Sequence, residues 1–140
     1  TGVQTCALPI YLEDKITTAE DLIQEHIDKP LVIVRTEELV SHALDRIRKY
    51  KISQIPVIDK DGFVGSLEDS DLFAAYMADP NIAEKPIREV MGAAYPVVNK
   101  NAKVEDVSKL ITKENNAVLV DLENGQFHII TKYDIINSIK

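Results

Sequence analysis

Near the end of the chain, Phe127-His128-Ile129-Ile130-Thr131-Lys132-Tyr133-Asp134 sets a hydroxyl and a carboxylate three residues apart, where an apolar β-type run gives way to a helix. A helix that starts at a strand end leaves its first backbone N–H groups unpaired. Those groups, with the helix dipole, favour anions and polar oxygens. The Thr131 hydroxyl can cap the helix or bond a phosphate or ribose oxygen. The Asp134 carboxylate, in the first turn, can accept two hydrogen bonds from a vicinal diol such as that of ribose, each contributing about 1.5–3 kcal/mol. Without a ligand the same pair reads as an N-cap and a first-turn acid, and these residues alone leave both readings open.

A weaker version occurs 63 positions earlier, where Glu68 stands in place of Thr131 and Asp71 in place of Asp134. Glu68 repels a phosphate, but it can cap the helix or face a cationic group. Other constellations carry less. His26, His42 and His128 fall in three separate elements without metal-ligand spacing and read as exposed or capping residues, His128 alternatively as the lining of a ligand slot. Glu68-Asp69-Ser70-Asp71 reads as a solvated first helical turn before it reads as a cation site. Ser41, His42 and Asp45 share one helix with no elbow strand before the serine, so they form no hydrolytic triad. Catalysis is not expected of these residues.

These motifs belong to an internal repeat, roughly 17–78 and 86–140, with residues 79–85 as linker. Val34, Val40, Ala43 and Ile47 match Val98, Val104, Val107 and Ile111 at an offset of 64, and Val57, Gly62 and Asp71 match Val120, Gly125 and Asp134 at 63. The second copy has lost one residue near the end of its first long helix. Each copy reads as strand, helix, hairpin, helix. In the first these are Leu31–Val34, Glu37–Tyr50 with Thr36 as N-cap, Ile55–Ile58, Phe63–Leu67 and Glu68–Met77. In the second they are Pro96–Val98, Lys103–Lys113, Ala117–Asp121, Gln126–Ile130 and Thr131–Ile139. The turns at Gly62 and Gly125 suit positive φ. Short amphipathic segments, Ala19–His26 and Pro86–Met91, precede the copies. A unit of about 55 residues buries too little to stand comfortably alone. The expected fold class is therefore α+β: two pseudo-two-fold-related βαββα-type repeats sharing a core. The strips Leu72, Phe73, Tyr76, Met77 and Ile135, Ile136, Ile139 read mainly as core.

Composition narrows the function classes. A formal charge of −7 argues against general nucleic-acid binding, which needs a basic face. No apolar run approaches the length of a membrane span, and no basic segment leads into an apolar one as in a secretory signal. The single cysteine, Cys6, excludes a disulfide framework and a thiolate metal site. A reducing, cytoplasmic setting follows as the expectation. Residues 1–10, TGVQTCALPI, resemble translated read-through of a common sequencing adapter, spelled in full by ACT GGA GTT CAG ACG TGT GCT CTT CCG ATC. They are set aside from the fold, and Tyr11 is expected not to lie near a native N-terminus.

The two copies resemble a tandem CBS-domain pair, or Bateman module. QIPVIDKDGFVGSLEDSDLF in the first and FHIITKYDII in the second stand where that family shows Ile-Pro-Val, a turn, and Gly-x-x-Thr-x-x-Asp. SQIPVIDKDGFVGSLEDSDLF, PIREVMGAAYPVV, ITKENNAVLV and HIITKYDI are further similar to the C-terminal regulatory region of bacterial cystathionine β-synthase-like enzymes. The resemblance implies a ligand sensor and no resident cofactor. It implies an adenosyl effector (S-adenosylmethionine slightly ahead of AMP or ATP), an upstream pyridoxal-phosphate catalytic domain absent from this chain, and a homodimer through the outer helices. It also implies a base slot made by Tyr95, Pro96, Val97, Ala117 and Val118 beside Thr131, Asp134 and His128, with Ile55 and Pro56 beside Glu68 and Asp71 at a weaker site. His128, where the family favours glycine, is expected to narrow its site. A ligand-free structural or dimerisation module, or a stand-alone protein, is the rival reading.

Overall fold

A computed structural model of the chain describes residues 16–139. The expectations for residues 1–10, Cys6 and Tyr11 lie outside the described residues. The first half runs α1 (Ala19–Leu22), β1 (Val34–Arg35), α2 (Val40–Tyr50), β2 (Gln54–Asp59), β3 (Gly62–Glu68) and α3 (Asp69–Ala78). The second runs β4 (Val97–Asn99), α4 (Val104–Leu110), β5 (Ala117–Asp121), β6 (Phe127–Thr131) and α5 (Lys132–Ser138). Each half is a three-stranded sheet, its first strand parallel to the second and its second antiparallel to the third. Val34 pairs with Val57 in one sheet and Val98 with Val120 in the other. These are the residues the repeat aligns, so the two halves share their strand register. The architecture is the expected α+β pair. Gly62 turns the first hairpin at φ 118°, in the left-handed region, while Asp59 Oδ1 accepts the Asp61 N–H at 2.7 Å.

The leading segment of each half packs on the other half. Thr18 bridges to Lys103, and Leu39 bridges to Pro86. The Val104 N–H donates to the Thr17 carbonyl at 3.0 Å, and the Val40 N–H donates to the Lys85 carbonyl at 2.9 Å. The apolar residues follow the same exchange. Ala19, Leu22 and Ile23 are buried with Val107, Val118, Val120 and Ile130 of the second half. Ile87, in a single 3-10 turn (Ile87–Glu89), is buried with Val34, Val40, Ala43, Ile55 and Val57 of the first. Burying an isoleucine stabilises by about 1.5–3 kcal/mol, so these two anchors matter to both halves. A third cluster joins the sheets. Tyr95, Ala117 and Leu119 are buried there against Leu31, Phe63 and Ile129, and the Phe63 and Phe127 rings meet edge to face at 5.0 Å.

The exchange explains where local expectations fail. Thr36 is not the N-cap of α2: the helix opens after Leu39 with no side-chain cap, because Lys85 already satisfies its first N–H. Lys103 likewise precedes α4 without a side-chain cap. Thr36 is buried, its hydroxyl donating to Glu37 Oε1 at 2.8 Å. The strand expected over Leu31–Val34 forms a ladder only at Val34–Arg35, since Leu31 is drawn into the cluster between the sheets. The outer strips divide. Leu72 is buried, but Phe73, Met77, Ile136 and Ile139 are more than half exposed, so they are not core.

Gly65 in β3 allows a close approach. A Cβ there would stand 3.0 Å from the Gly92 carbonyl oxygen and 2.5 Å from Met91 Sδ. Beside it, Ser66 and Gly92 exchange backbone bonds of 3.2 and 2.9 Å.

The crossed packing predicts a displaced effect. Ile23→Ala should cost about 2–5 kcal/mol in urea unfolding. Its extra hydrogen exchange should appear in β5 and β6, about a hundred residues away, more than in the adjacent β1–β2 ladder. Exchange confined to β1 and β2 would contradict the exchange of segments.

Candidate functional site

The crossing creates two related clefts, each walled by both halves. The first, about 710 Å³, lies in the range of about 300–1,000 Å³ common for small-molecule sites. One wall is the strap leading into β1, with Lys29, Pro30, Leu31, Val32 and Ile33. A second wall brings Arg46 and Tyr50 of α2 together with Ile52 and Gln54, and the third brings His128, Ile129, Thr131 and Asp134 from the second half. The second cleft, about 660 Å³, places Tyr95, Pro96, Leu110 and Asn116 opposite Ser66, Glu68 and Asp71.

The predicted residues are therefore regrouped. Thr131, Asp134 and His128 do stand together. Tyr95 and Pro96 stand in the other cleft, with Glu68 and Asp71, because a repeat's strap serves its partner's helix and not its own. Val97 opens β4, half exposed, and lines neither cleft. Ala117 and Val118 are fully buried in β5, in the inter-sheet cluster and the second-half core respectively. Ile55 and Pro56 are likewise buried in β2 and line neither cleft. Sequence reasoning missed the strap, Arg46, Gln54 and His26 at the first cleft, and Asn116 at the second. A signal for the strap was present, since Leu31, Val32 and Ile33 are the repeat equivalents of Tyr95, Pro96 and Val97, 64 positions apart.

Asp134 is held from two sides. Its Oδ2 accepts the Thr131 N–H at 2.9 Å, and His26 Nε2 donates to its Oδ1 at 3.2 Å. A carboxylate so fixed retains lone pairs for further donors. The His26 and His128 rings meet edge-on at 5.9 Å between centroids, and His128 Nε2 donates to the Ile27 carbonyl at 3.1 Å. His128 thus ties down the strap by its side chain where the first half, at the equivalent Gly65, uses the Ser66–Gly92 backbone bridge. His128 is buried. That burial pushes its imidazole below the ordinary value, and the neighbouring His26 adds to the effect, with partial opposition from the Ile27 carbonyl.

The second cleft is furnished differently. Glu68 stands at the N-cap position of α3, but its side chain makes no cap hydrogen bond. Its Oε2 accepts from the Tyr95 hydroxyl. Its Oε1 accepts from Asn116 Nδ2 at 3.1 Å and lies 3.5 Å from Gln54 Nε2. Burial, then the bond and charge of Glu68, push the Tyr95 phenol far above its ordinary range, so it stays a donor. This network joins β3, the strap before β4 and the start of β5 inside the cleft.

Arg46 completes the polar inventory of the first cleft. Its Nη2 pairs with Glu38 Oε1 at 2.9 Å, whereas its Nη1 is buried with no hydrogen-bond partner. Burial works to raise the Glu38 carboxyl, but bonds from Arg46 and the Arg35 N–H outweigh it and hold it below the usual value. Among the described residues, no three His, Cys, Asp or Glu side chains are placed to hold a metal. None of the described helices is long and apolar enough to cross a membrane.

The family model described as CBS domain matches twice, over residues 19–78 and 87–140. The chain belongs to the CBS-domain family. This CBS-domain pair, a module of regulatory type, resembles an uncharacterized protein of Methanocaldococcus jannaschii at 37% identity over 90 residues, which is 63% of this chain and 29% of that one. The chain thus matches under a third of that relative's length. Among solved structures, a CBS-domain-containing protein from Agrobacterium tumefaciens superposes with a TM-score of 0.74 at 19% identity, covering 87% of this chain and 92% of the other. The CBS domain of a membrane protein from Sphaerobacter thermophilus gives 0.68 at 16%, covering 99% and 98%. These likenesses establish the fold of the pair.

The buried His128 sets a pH dependence. Its folded-state pKa lies below the unfolded one, so the unfolded chain binds more protons and stability falls as pH drops through about 6.5. Urea titrations between about pH 7.5 and 5.5 should show a shallower loss for His128→Gln than for the parent. The His26–Asp134 pair is present in both proteins. Equal slopes would contradict the account.

Proposed function

We propose that this CBS-domain pair senses an adenosyl compound (S-adenosylmethionine, AMP or ATP) in the cleft of Asp134 and thereby controls an attached or partner enzyme. The observation that carries the reading is the fixed Asp134 carboxylate facing a largely apolar cleft shared by both halves. Ribose hydroxyls donate to Asp134. The adenine lies against the wall of Leu31, Val32, Ile33 and Ile129. A ligand so placed touches the strap of one half and the helix start of the other. It therefore shifts their packing by as much as its affinity differs between the two arrangements. The resemblance of the sequence to the tail of cystathionine β-synthase-like enzymes makes a pyridoxal-phosphate β-synthase the proposed client.

A ligand raises the unfolding temperature by mass action. Asp134→Asn keeps the side chain's volume and removes its charge. It should weaken adenosyl binding by about tenfold or more, the loss of one charge-assisted bond, and shrink the ligand-induced rise in melting temperature while the apo midpoint changes little. Equal stabilisation of parent and variant would remove Asp134 from the site.

A second reading, dimerisation, is favoured by Phe73 and Met77 on α3, Ile136 on α5 and Ile139 just past its end, all exposed. The two helices occupy equivalent places in the repeat, so a second copy can oppose them with its own matching face. Phe73→Asp with Ile136→Asp should convert a dimer into a monomer in sedimentation velocity. A parent that sediments as a monomer at micromolar concentration would defeat this reading.

A further inference from the structure

We infer that the strap of residues 28–33 is a movable gate hung from His128, while its repeat equivalent, residues 92–97, is a fixed wall. The inference goes beyond the sensor reading and does not need it, because the difference is built into the chain without a ligand. Three anchors hold the second strap, and each is missing from the first. The first anchor is the pair of backbone bonds, 3.2 and 2.9 Å, that Ser66 and Gly92 exchange. Gly65 allows it: a Cβ there would stand 3.0 Å from the Gly92 carbonyl oxygen. His128, the equivalent of Gly65, carries that Cβ, so the strap 28–33 is kept from the same approach to β6. The second anchor is the Ser66 hydroxyl, which donates to the Ala93 carbonyl at 2.6 Å. Its equivalent is Ile129, which has no hydroxyl. The third is the Leu119 N–H, which donates to the Pro96 carbonyl at 2.8 Å. Its equivalent is Pro56, which has no N–H to give the Val32 carbonyl. Among the described residues, the one backbone hydrogen bond of 28–33 runs from the Lys29 N–H to the His26 carbonyl, at 3.0 Å, within its own turn.

What holds the first strap is the His128 bond to the Ile27 carbonyl, at 3.1 Å, and the packing of Leu31. Leu31 is half-buried where its equivalent, Tyr95, is buried and bonded to Glu68. The strap also has room to move. Lys29, Pro30, Leu31, Ile33 and His128 line the first cleft, of about 710 Å³, and equally a separate cavity of about 380 Å³ that reaches Phe63 and Phe127. A close-packed segment cannot shift without strain, but this one borders free volume on two sides. Few bonds and sparse packing mark the segments that open first. Movement into the smaller cavity widens the cleft, and the return narrows it. The pair therefore opens on one side only.

Backbone amide relaxation dispersion on the full, ligand-free chain tests this, because gates open on the microsecond-to-millisecond timescale. The amides of Leu31, Val32 and Ile33 should show exchange, and those of Ala93, Ala94 and Tyr95 none. His128→Gly combined with Ile129→Ser carries the anchoring pair of the first half into the second, and Pro56→Ala restores a donor opposite Val32. Either variant should quench the exchange at Leu31, Val32 and Ile33. The double variant should also slow hydrogen exchange of the Asp28 N–H by about tenfold or more. Pro56→Ala leaves His128 and its bond in place, so it carries the test even where the double variant weakens the fold. Dispersion equal in the two straps of the parent, its absence from both, or its persistence at Leu31, Val32 and Ile33 in both folded variants overturns the gate and leaves the sensor reading standing.

Discussion

Everything in this fold depends on an exchange of short segments between two like halves. Neither three-stranded sheet closes its own core. The second half needs Ala19, Leu22 and Ile23, and the first needs Ile87. The same exchange satisfies the opening N–H groups of α2 and α4 with backbone carbonyls from the opposite half. Small domains struggle to bury enough surface to offset chain entropy. Trading segments allows each half to enlarge its core without lengthening its own chain, and it removes the option of folding one half alone.

The clefts inherit their composition from that crossing. A wall from each half means that no ligand in either cleft can be bound without reporting on how the halves sit together. The asymmetry between the clefts is then a matter of side chains laid on a symmetric frame. Glu68, Tyr95 and Asn116 line one with a bonded network. Asp134, Thr131 and His26 line the other, with Arg46 incompletely paired.

Much of this was legible in the residues, and what was not has a physical reason. β5 is read residue for residue, because Ala117–Asp121 is a short apolar run bounded by polar turns. The offsets of 64 and 63 foretell the matching registers of Val34 with Val57 and Val98 with Val120. A repeat states which residues are equivalent, however, and not on which half each one packs. That is why the sequence pattern groups Tyr95 and Pro96 with Asp134, whereas in the fold they stand with Glu68. The His26–Asp134 contact spans 108 positions, and neither residue type nor local period signals such a pairing. Thr36 reads as an N-cap by type, yet tertiary contact with Lys85 makes a side-chain cap unnecessary. Leu31 reads as strand by propensity, and the inter-sheet cluster overrides it.

The exchanged segments also set an order of events on the ribosome. Within this pair Ile16–Ile27 leaves the exit tunnel well before the surface it covers, from Val107 through Ile130. Its apolar residues must wait, solvated or sheltered by a chaperone, while both sheets are made. Ile87 meets a half that is already complete. The nascent pair thus closes its earlier half on a later segment, and secures its later half by reaching back to a segment made before either sheet.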